Sequence, residues 1–307
     1  MSPFVIGTRG SALALAQADL TEAALARAHA GLPVERRIFT TRGDVKLDLS
    51  LIRASEAGGK GLFTKELEDA LLAGSIDAAV HSLKDLPGHQ PDGLQLTAVL
   101  ERAATADVLV SREPLTLATL PLGARIGTSS IRRARQLQWL RTDLLIEEWR
   151  GNVLTRLRKL RERDDIAAIV LAEAGLRRLG CAFTDGRLTT AEGEFHAASL
   201  AGDLLPAIGQ GAVALQSRAG DARVNAILAP LNHEPTWLCI RAERELQRLL
   251  SGDCSLPVGV RSTLRGDSLE MAAILFGAEG EPPRRAEVSG AAERPEEIAL
   301  ALFRAMA

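Results

Sequence analysis

Tyrosine is absent from this chain of 307 residues, and aromatic residues amount to only 3%. Stacking platforms for unpaired bases are built from aromatic rings, so that mode of nucleic-acid binding is not expected. Excess charge of either sign is also missing. The 37 basic and 39 acidic residues leave a net charge of −2, without the broad positive field of a general nucleic-acid binder. The longest apolar run, Ile166 to Ala172, falls far short of the roughly 18 residues a membrane-spanning helix needs. The first residues show no basic stretch leading into an apolar one, so no secretory signal is expected and the expected location is the cytoplasm. Cysteine is scarce, at positions 181, 239 and 254. Three cysteines without a signal peptide make no disulfide framework, and no CxxC or His/Cys cluster has metal-ligand spacing, so no metal is expected.

What remains is the balance of a soluble globular protein, 46% hydrophobic and 25% charged. The length suggests two or three domains. Lysine is rare, at 46, 60, 65, 84 and 159 only, and four of the five fall between 46 and 84.

A faint internal repeat organises the chain. Ile6-Gly7-Thr8 ends a strand candidate and leads through Arg9-Gly10-Ser11 into a helical run, Ala12 to Ala30. Ile126-Gly127-Thr128 does the same through Ser129-Ser130 into Ile131 to Leu140, at an offset of 120. Arg42-Gly43-Asp44 and Arg150-Gly151-Asn152 close the strand candidates near Val34–Thr40 and Leu144–Trp149, at an offset of 108. Ala78-Ala79-Val80 and Ala167-Ala168-Ile169 form a third pair, at an offset of 89. The shrinking offset implies two similar strand–helix–strand halves, the first carrying an insertion at 45–62 whose Gly58-Gly59-Lys60-Gly61 composition suggests a lid. Strands alternating with helices predict α/β units that bind ligands at strand carboxyl ends and helix N-termini. Pro206–Ala212 reads as a connector back to the first half, with Val213–Gln216 a returning strand. After about 222 an amphipathic helix at Ala242–Leu250, alternating segments and a final helix at Glu296–Met306 predict a small α+β domain. The expected division is 1–100 with 203–220, 101–202, and 221–307.

Candidate chemistry gathers at the predicted strand ends. Thr128-Ser129-Ser130-Ile131-Arg132-Arg133 opens a helix, where serine hydroxyls cap backbone N–H groups and the dipole is positive. Two arginines in that first turn oppose the dipole, a conflict that a bound anion resolves. Arg9 and Ser11 hold the matching place in the first half. Arg150, Arg156, Arg177 and Arg178 extend the set; guanidinium forks bind carboxylates bidentately, which favours a ligand with several carboxylates or phosphates. His81-Ser82-Leu83-Lys84-Asp85 follows the strand Ile76–Val80 and puts a carboxylate where it can hold a developing cation and relay protons. His81 is equally well read as a packed core histidine. Cys254, among Gly, Asp, Ser and Pro, is a candidate nucleophile or attachment point, whereas Cys239 reads as helix core and Cys181 follows a helix end.

The segments TRGSALALAQ at 8–17, TTRGD at 40–44, GGKGLFTKELE at 58–68, DAAVHSLKDLP at 77–87, IGTSSIRRARQL at 126–137, WRGNVLTRLRKL at 149–160, LAEAGLRRLG at 171–180, LPAIGQGA at 205–212 and SGDCSLPVG at 251–259 together closely resemble the porphobilinogen deaminase (hydroxymethylbilane synthase) family. The likeness runs from residue 4 to about 260. It implies two periplasmic-binding-protein-like α/β domains around a cleft plus a small C-terminal α+β domain, in a monomer. It implies head-to-tail condensation of four porphobilinogen molecules into hydroxymethylbilane with release of ammonia, on a dipyrromethane cofactor attached through a cysteine thioether. It further implies that Cys254 is the attachment point and Asp85 the catalytic carboxylate. Arg9, Ser11, Ser82, Lys84, Arg132, Arg133, Arg150, Arg156 and Arg178 then contact carboxylates, Thr128, Ser129 and Ser130 form a cofactor-contacting turn, and Lys60 belongs to the lid. A hand-over of product to uroporphyrinogen-III synthase is a further implied contact, with neither nucleic acid nor membrane as a partner. A solute-binding or sensing module is the alternative; it needs the arginines but neither Asp85 nor Cys254. Three places depart from the family pattern: Glu101–Asp107 at the hinge, Asn232–Thr236, and Asp253, whose carboxylate is expected to raise the thiol pKa of its neighbour.

Overall fold

The Ile-Gly-Thr segments are strand ends, and their environment explains the glycines. The computed structural model describes residues 2–41, 64–250, 256–278 and 280–307. β1 (Phe4–Arg9) buries Phe4 and Ile6 completely. A Cβ on Gly7 would sit 2.5 Å from Ile76 Cδ1, and one on Gly127 would sit 2.8 Å from two indole carbons of Trp149. Both contacts are closer than carbon atoms tolerate, so a methyl at either position would force its neighbours to shift.

β1 runs into α1 (Ala12–Ala28), capped by Ser11 Oγ accepting from the Ala14 N–H at 3.3 Å. β2 (Val34–Phe39), α2 (Lys65–Leu72), β3 (Ala78–Ser82), a short 3-10 turn (Leu83–Asp85) and β4 (Leu94–Val99) follow. The chain then crosses over into β5 (Asp107–Ser111), β6 (Arg125–Gly127), α3 (Ile131–Leu140), β7 (Leu145–Glu147), α4 (Val153–Glu162), β8 (Ala168–Ala172), α5 (Glu173–Arg178), β9 (Ala182–Thr184), β10 (Arg187–Thr190) and β11 (Gly193–Ser199). It returns as β12 (Val213–Arg218) and ends with α6 (Ala222–Leu228), α7 (Glu234–Leu249), β13 (Val258–Arg265), β14 (Ser268–Leu275), β15 (Arg284–Ala291) and α8 (Pro295–Ala305).

The first sheet has the order β2-β1-β3-β12-β4 and the second β7-β6-β8-β5-β11-β10-β9. The correspondence is close: β1 is parallel to β2 and β3, as β6 is to β7 and β8. In each sheet the next strand is antiparallel and arrives by a crossover, β12 against β3 and β5 against β8. The register adjusts the repeat. Ile6 pairs with Ala78 and Ile126 with Ala168, so the third offset is 90 rather than 89. Gly7 pairs with Arg37 and Gly127 with Glu147, an offset of 110 at the second strand. The proposed insertion at 45–62 lies outside the described residues.

Three further expectations are shifted. The strand expected at Ile76–Val80 is Ala78–Ser82, because Asp77 is held at the strand start by its N–H on the Val5 carbonyl and its carboxylate on the Val5 N–H, both at 2.8 Å. The helix expected at Ala242–Leu250 starts eight residues earlier, at Glu234. Pro235 lies in its first turn, where a missing N–H costs no helical hydrogen bond. α6 and Leu231 pack into the apolar core beneath the first sheet, with Val224 and Leu228 fully buried. The three-stranded sheet β13-β14-β15 encloses a core of its own with α7 and α8, built on Leu246, Val260, Leu269, Met271, Ala299 and Leu302. The molecule is thus mixed α/β, with two related sheets and a small C-terminal α+β unit.

Candidate active site

The carboxyl end of β3 delivers Lys84 and Asp85 on the 3-10 turn, both half-buried. Two contacts fix that turn from outside. Leu83 N donates to the Ala212 carbonyl, and Arg244 of α7 donates to the Pro87 and Gly88 carbonyls at 3.0 and 3.1 Å. Just upstream, Ser82 Oγ lies 2.7 Å from Gln17 Nε2 on α1. His81 is buried, as a core histidine would be, with Nε2 3.0 Å from Gln216 Oε1. Burial pushes His81 down to about 4, the Gln216 bond opposing and Arg9 assisting.

α3 begins at the carboxyl end of β6. Ser130 caps it by accepting from the Arg133 N–H, Thr128 Oγ1 accepts from the Ser130 N–H at 3.2 Å, and Ser129 Oγ donates to the Trp149 carbonyl at 2.9 Å. The three hydroxyls therefore shape the turn. Arg132 and Arg133, in the first turn, are buried at 4% and 6% exposure. Arg132 Nη2 stands 2.8 Å from Asp107 Oδ2, and Arg133 Nη2 2.7 Å from Asp107 Oδ1. Arg132 Nη1 donates to the Leu205 carbonyl and Arg133 Nη1 to that of Val170. The conflict between two cations and a helix N-terminus is thus partly met by an internal carboxylate. Burial pushes Asp107 up, but the two guanidinium charges overcome it and hold the carboxyl well below the usual range.

The remaining sequence candidates lie around this pair. Arg156 Nε donates to the Gly151 carbonyl at 2.7 Å. Burial lowers the Arg156 guanidinium to about 10; Arg133 and Arg150 add to the shift and Asp85 opposes it. Arg150 pairs with Glu148 at 2.5 Å. Burial likewise pushes Lys84 down to about 8, with Arg133 adding to it and Asp85 and Asp107 opposing. Lys84 of the first sheet therefore lies in the field of Arg132 and Arg133 of the second, and Arg156 of the second in that of Asp85 of the first. Arg178 instead donates to the Gly211 carbonyl at 2.6 Å and braces the returning crossover. Arg9 and Ser11 stay at the β1–α1 junction, Arg9 close enough to act on His81. Cys254 and Lys60 lie outside the described residues, as does Asp253. Cys181 and Cys239 are buried, and burial raises both thiols.

Sequence reasoning missed two groups. Asp107 was visible only as the lone charge opening the apolar strand DVLVS. Arg102 and Glu243 were hidden by 141 residues of separation. Arg102 Nη1 and Nη2 meet Glu243 at 2.6 and 3.0 Å, and its Nε donates to the Gln210 carbonyl at 2.9 Å. Glu243 also accepts from the Gly209 N–H at 2.7 Å. The departure at 101–107 thus holds an ion pair that locks α7 to both crossovers.

The sequence matches a family model described as porphobilinogen deaminase, dipyromethane cofactor binding domain, over residues 4–226, and one described as porphobilinogen deaminase, C-terminal domain, over residues 237–307. The chain belongs to the porphobilinogen deaminase family. A porphobilinogen deaminase of Moorella thermoacetica is 44% identical over 299 residues, covering 97% of this chain and 91% of that protein. One from a Roseiflexus species is 45% identical over 298 residues, 97% and 93% of the two chains. Among solved structures, the methionine binding protein MetQ aligns at 16% identity and a TM-score of 0.41, over 74% of this chain and 89% of that one. So low a score leaves the strand order above as the description of the fold.

The residues present fit the family's cofactor. Dipyrromethane is a polyanion, and the buried guanidinium Nε atoms of Arg132 and Arg133 have no hydrogen-bond partner among the described residues. An unpaired buried N–H costs about 1–3 kcal/mol, so a carboxylate placed there is stabilising. Two cations share the one carboxylate of Asp107, and Lys84 and Arg156 lie within their field.

Proposed function

We propose that this chain is a porphobilinogen deaminase that condenses four porphobilinogen molecules head to tail into hydroxymethylbilane, releasing ammonia at each addition. The reading rests on the family match over residues 4–226 and 237–307, and the charges agree with it: Lys84, from the end of β3, lies in the field of Arg132 and Arg133, and Asp85 acts on Arg156. Porphobilinogen carries an acetate, a propionate and an aminomethyl group on a pyrrole. Guanidinium groups hold the first two, and a carboxylate serves the third.

Bound dipyrromethane supplies the pyrrole carbon from which the product grows, and in this reading Cys254 is its thioether anchor. Arg132, Arg133 and Lys84 hold its carboxylates, with Arg9, Ser11, Ser82 and the turn Thr128–Ser130 completing the wall. Arg150 and Arg156 receive the incoming acetate and propionate, Arg178 braces the crossover beside them, and Lys60 covers the cleft. Asp85 works on the substrate. As ammonia leaves the aminomethyl carbon, positive charge spreads to the pyrrole nitrogen of porphobilinogen. A fixed carboxylate stabilises that charge more than the neutral ground state, which lowers the barrier. The same carboxylate can take up the proton lost when the ring regains aromaticity.

The proposed division of the chain is 1–100 with 203–231, 101–202 and 232–307. Residues 221–231 move to the first unit because Val224, Leu228 and Leu231 are core there. No helix among the described residues is long and apolar enough to cross a membrane. A cytoplasmic monomer that passes its product to uroporphyrinogen-III synthase agrees with this reading.

The test is direct. Purified protein mixed with porphobilinogen should release one ammonia per substrate consumed, and its intact mass should exceed the chain mass by two pyrrole units. Protein that neither consumes porphobilinogen nor carries the added mass would refute the assignment.

A further inference from the structure

Asp107 is the first residue of β5, where the outgoing crossover enters the second sheet, and its side chain is fully buried. Its two oxygens are divided. Oδ2 faces Arg132 at 2.8 Å, and Oδ1 faces Arg133 at 2.7 Å. Oδ1 also accepts from Gln210 Nε2 at 2.9 Å, and the same nitrogen donates to the Thr105 carbonyl at 2.7 Å. Gln210 belongs to the returning crossover. One carboxylate therefore touches both crossovers and both arginines.

The arginines depend on it electrostatically. Burial, with the neighbouring Arg133 charge adding to it, lowers the tendency of Arg132 to hold its charge, and Asp107 is the group that opposes this. Each spends one Nη on Asp107 and the other on a main-chain carbonyl, Leu205 or Val170, and among the described residues the Nε has no partner. A planar guanidinium held at two corners has a fixed third corner.

We propose that Asp107 is a positioning residue that presents Arg132 and Arg133 to ligand carboxylates and, through Gln210, ties their orientation to the two crossovers. This rests on the reading that those arginines bind carboxylates. A displacement of one crossover against the other moves Oδ1 and turns Arg133 with it. The hinge and the anion site are then one hydrogen-bonded unit.

The test uses the full-length apo chain mixed with porphobilinogen, with covalent two-pyrrole gain followed by intact mass and Tm measured in parallel. Asp107→Asn keeps the volume and an acceptor oxygen but removes the charge. Loading should slow about tenfold or more at a temperature where the variant is folded, since hydrogen bonds to charged groups have that worth. Arg133→Gln should slow loading similarly, and the double variant should lose little more than either single one, because residues acting as a unit are non-additive. A bracing role alone would lower Tm and leave loading unchanged, which would overturn the proposal, as would additive losses. Normal loading by Arg133→Gln alone would remove the carboxylate-binding reading and this proposal together. Gln210→Met decides the matter if Asp107→Asn does not fold. It keeps both ion pairs and cuts the Gln210 bonds to Asp107 and to the Thr105 carbonyl, so loading about threefold slower is expected and unchanged loading overturns the proposal.

Discussion

The two sheets share strand order and register yet differ at most positions that bear chemistry. Carried forward from Ala78 and Ala168, the register sets His81 opposite Leu171, and Leu83-Lys84-Asp85 opposite Glu173-Ala174-Gly175. The first sheet makes a short 3-10 turn there that carries a half-buried cation and carboxylate, whereas the second continues into α5. At the other helix start the roles reverse. α1 opens on Ala-Leu-Ala-Leu behind Ser11, and α3 opens on Ile-Arg-Arg behind Ser130. In the proposed reading the same backbone thus gives the reacting carboxylate to one half and most of the carboxylate-binding cations to the other, Arg9 and Lys84 being the first half's share. The crossovers at Asp107 and Gln210 join the two halves.

The largest expected effect tests the first sheet's share. Asp85→Asn keeps shape and loses charge, and the loss of such a preorganised group typically costs about 10²–10³ in turnover. Asp85→Glu should retain more activity than Asp85→Asn. Steady-state kcat with thermal stability in parallel checks both, and turnover by Asp85→Asn within threefold of the parent would end the catalytic assignment. The second sheet's share should be smaller per residue. Arg132→Leu or Arg133→Leu should block cofactor assembly, and changes at Arg150 or Arg156 should stall elongation at intermediate lengths, each by roughly tenfold or more. Mass spectrometry of chains arrested during turnover separates the two outcomes; full-length product at normal rates from all four variants would break the division of labour.

The equivalent glycines sharpen the comparison at the level of stability. A methyl at Gly127 meets the indole ring of Trp149 and Ile169 Cγ2 at 2.8–2.9 Å. The indole cannot turn away freely, because its Nε1 donates to the Arg156 carbonyl at 3.2 Å. Gly127→Ala should therefore lose about 1–3 kcal/mol and also weaken substrate binding through Arg156. A methyl at Gly7 meets only side-chain ends, the nearest being Ile76 Cδ1. Those ends can rotate, so Gly7→Ala should lose less. Chemical denaturation of both variants measures the difference, and equal losses would contradict this account.

How far the letters carried is instructive. Ile-Gly-Thr was legible twice because tight packing at a strand end leaves room only for glycine. The third offset came out one residue short because Ala-Ala-Val and Ala-Ala-Ile look alike, and only hydrogen-bond register distinguishes Ala167 from Ala168. Lys84, Asp85 and the arginines were legible as charges at strand ends and, together, as a family resemblance. That Arg132 and Arg133 already share a carboxylate was not legible, since Asp107 is 25 and 26 residues away on an antiparallel strand. Local sequence predicts an unsatisfied helix start; tertiary structure supplies part of the answer.

The smallest effect concerns His81, the polar counterpart of Leu171. Its imidazole bonds Gln216, whose Nε2 lies 2.7 Å from Gln90 Oε1 and 3.4 Å from Glu68 Oε1. The folded pKa of about 4 lies below the ordinary 6.5, so between those values the unfolded chain binds more protons than the folded one. Stability contributed by neutral His81 is complete above pH 6.5 and is lost as pH falls toward 4. Burial raises the Glu68 carboxyl, which acts with the opposite sign above 4.5, so only the difference between two proteins isolates the histidine. His81→Leu makes the first sheet resemble the second at this position. It leaves Gln216 short of one partner, so at neutral pH it should cost about 1 kcal/mol. On acidification from pH 6.5 to 4.5 the parent should lose more Tm than His81→Leu, and the gap between them should close. Parallel Tm–pH curves for parent and variant would show that His81 titrates alike in both states, and that its burial beside Gln216 carries no acid sensitivity.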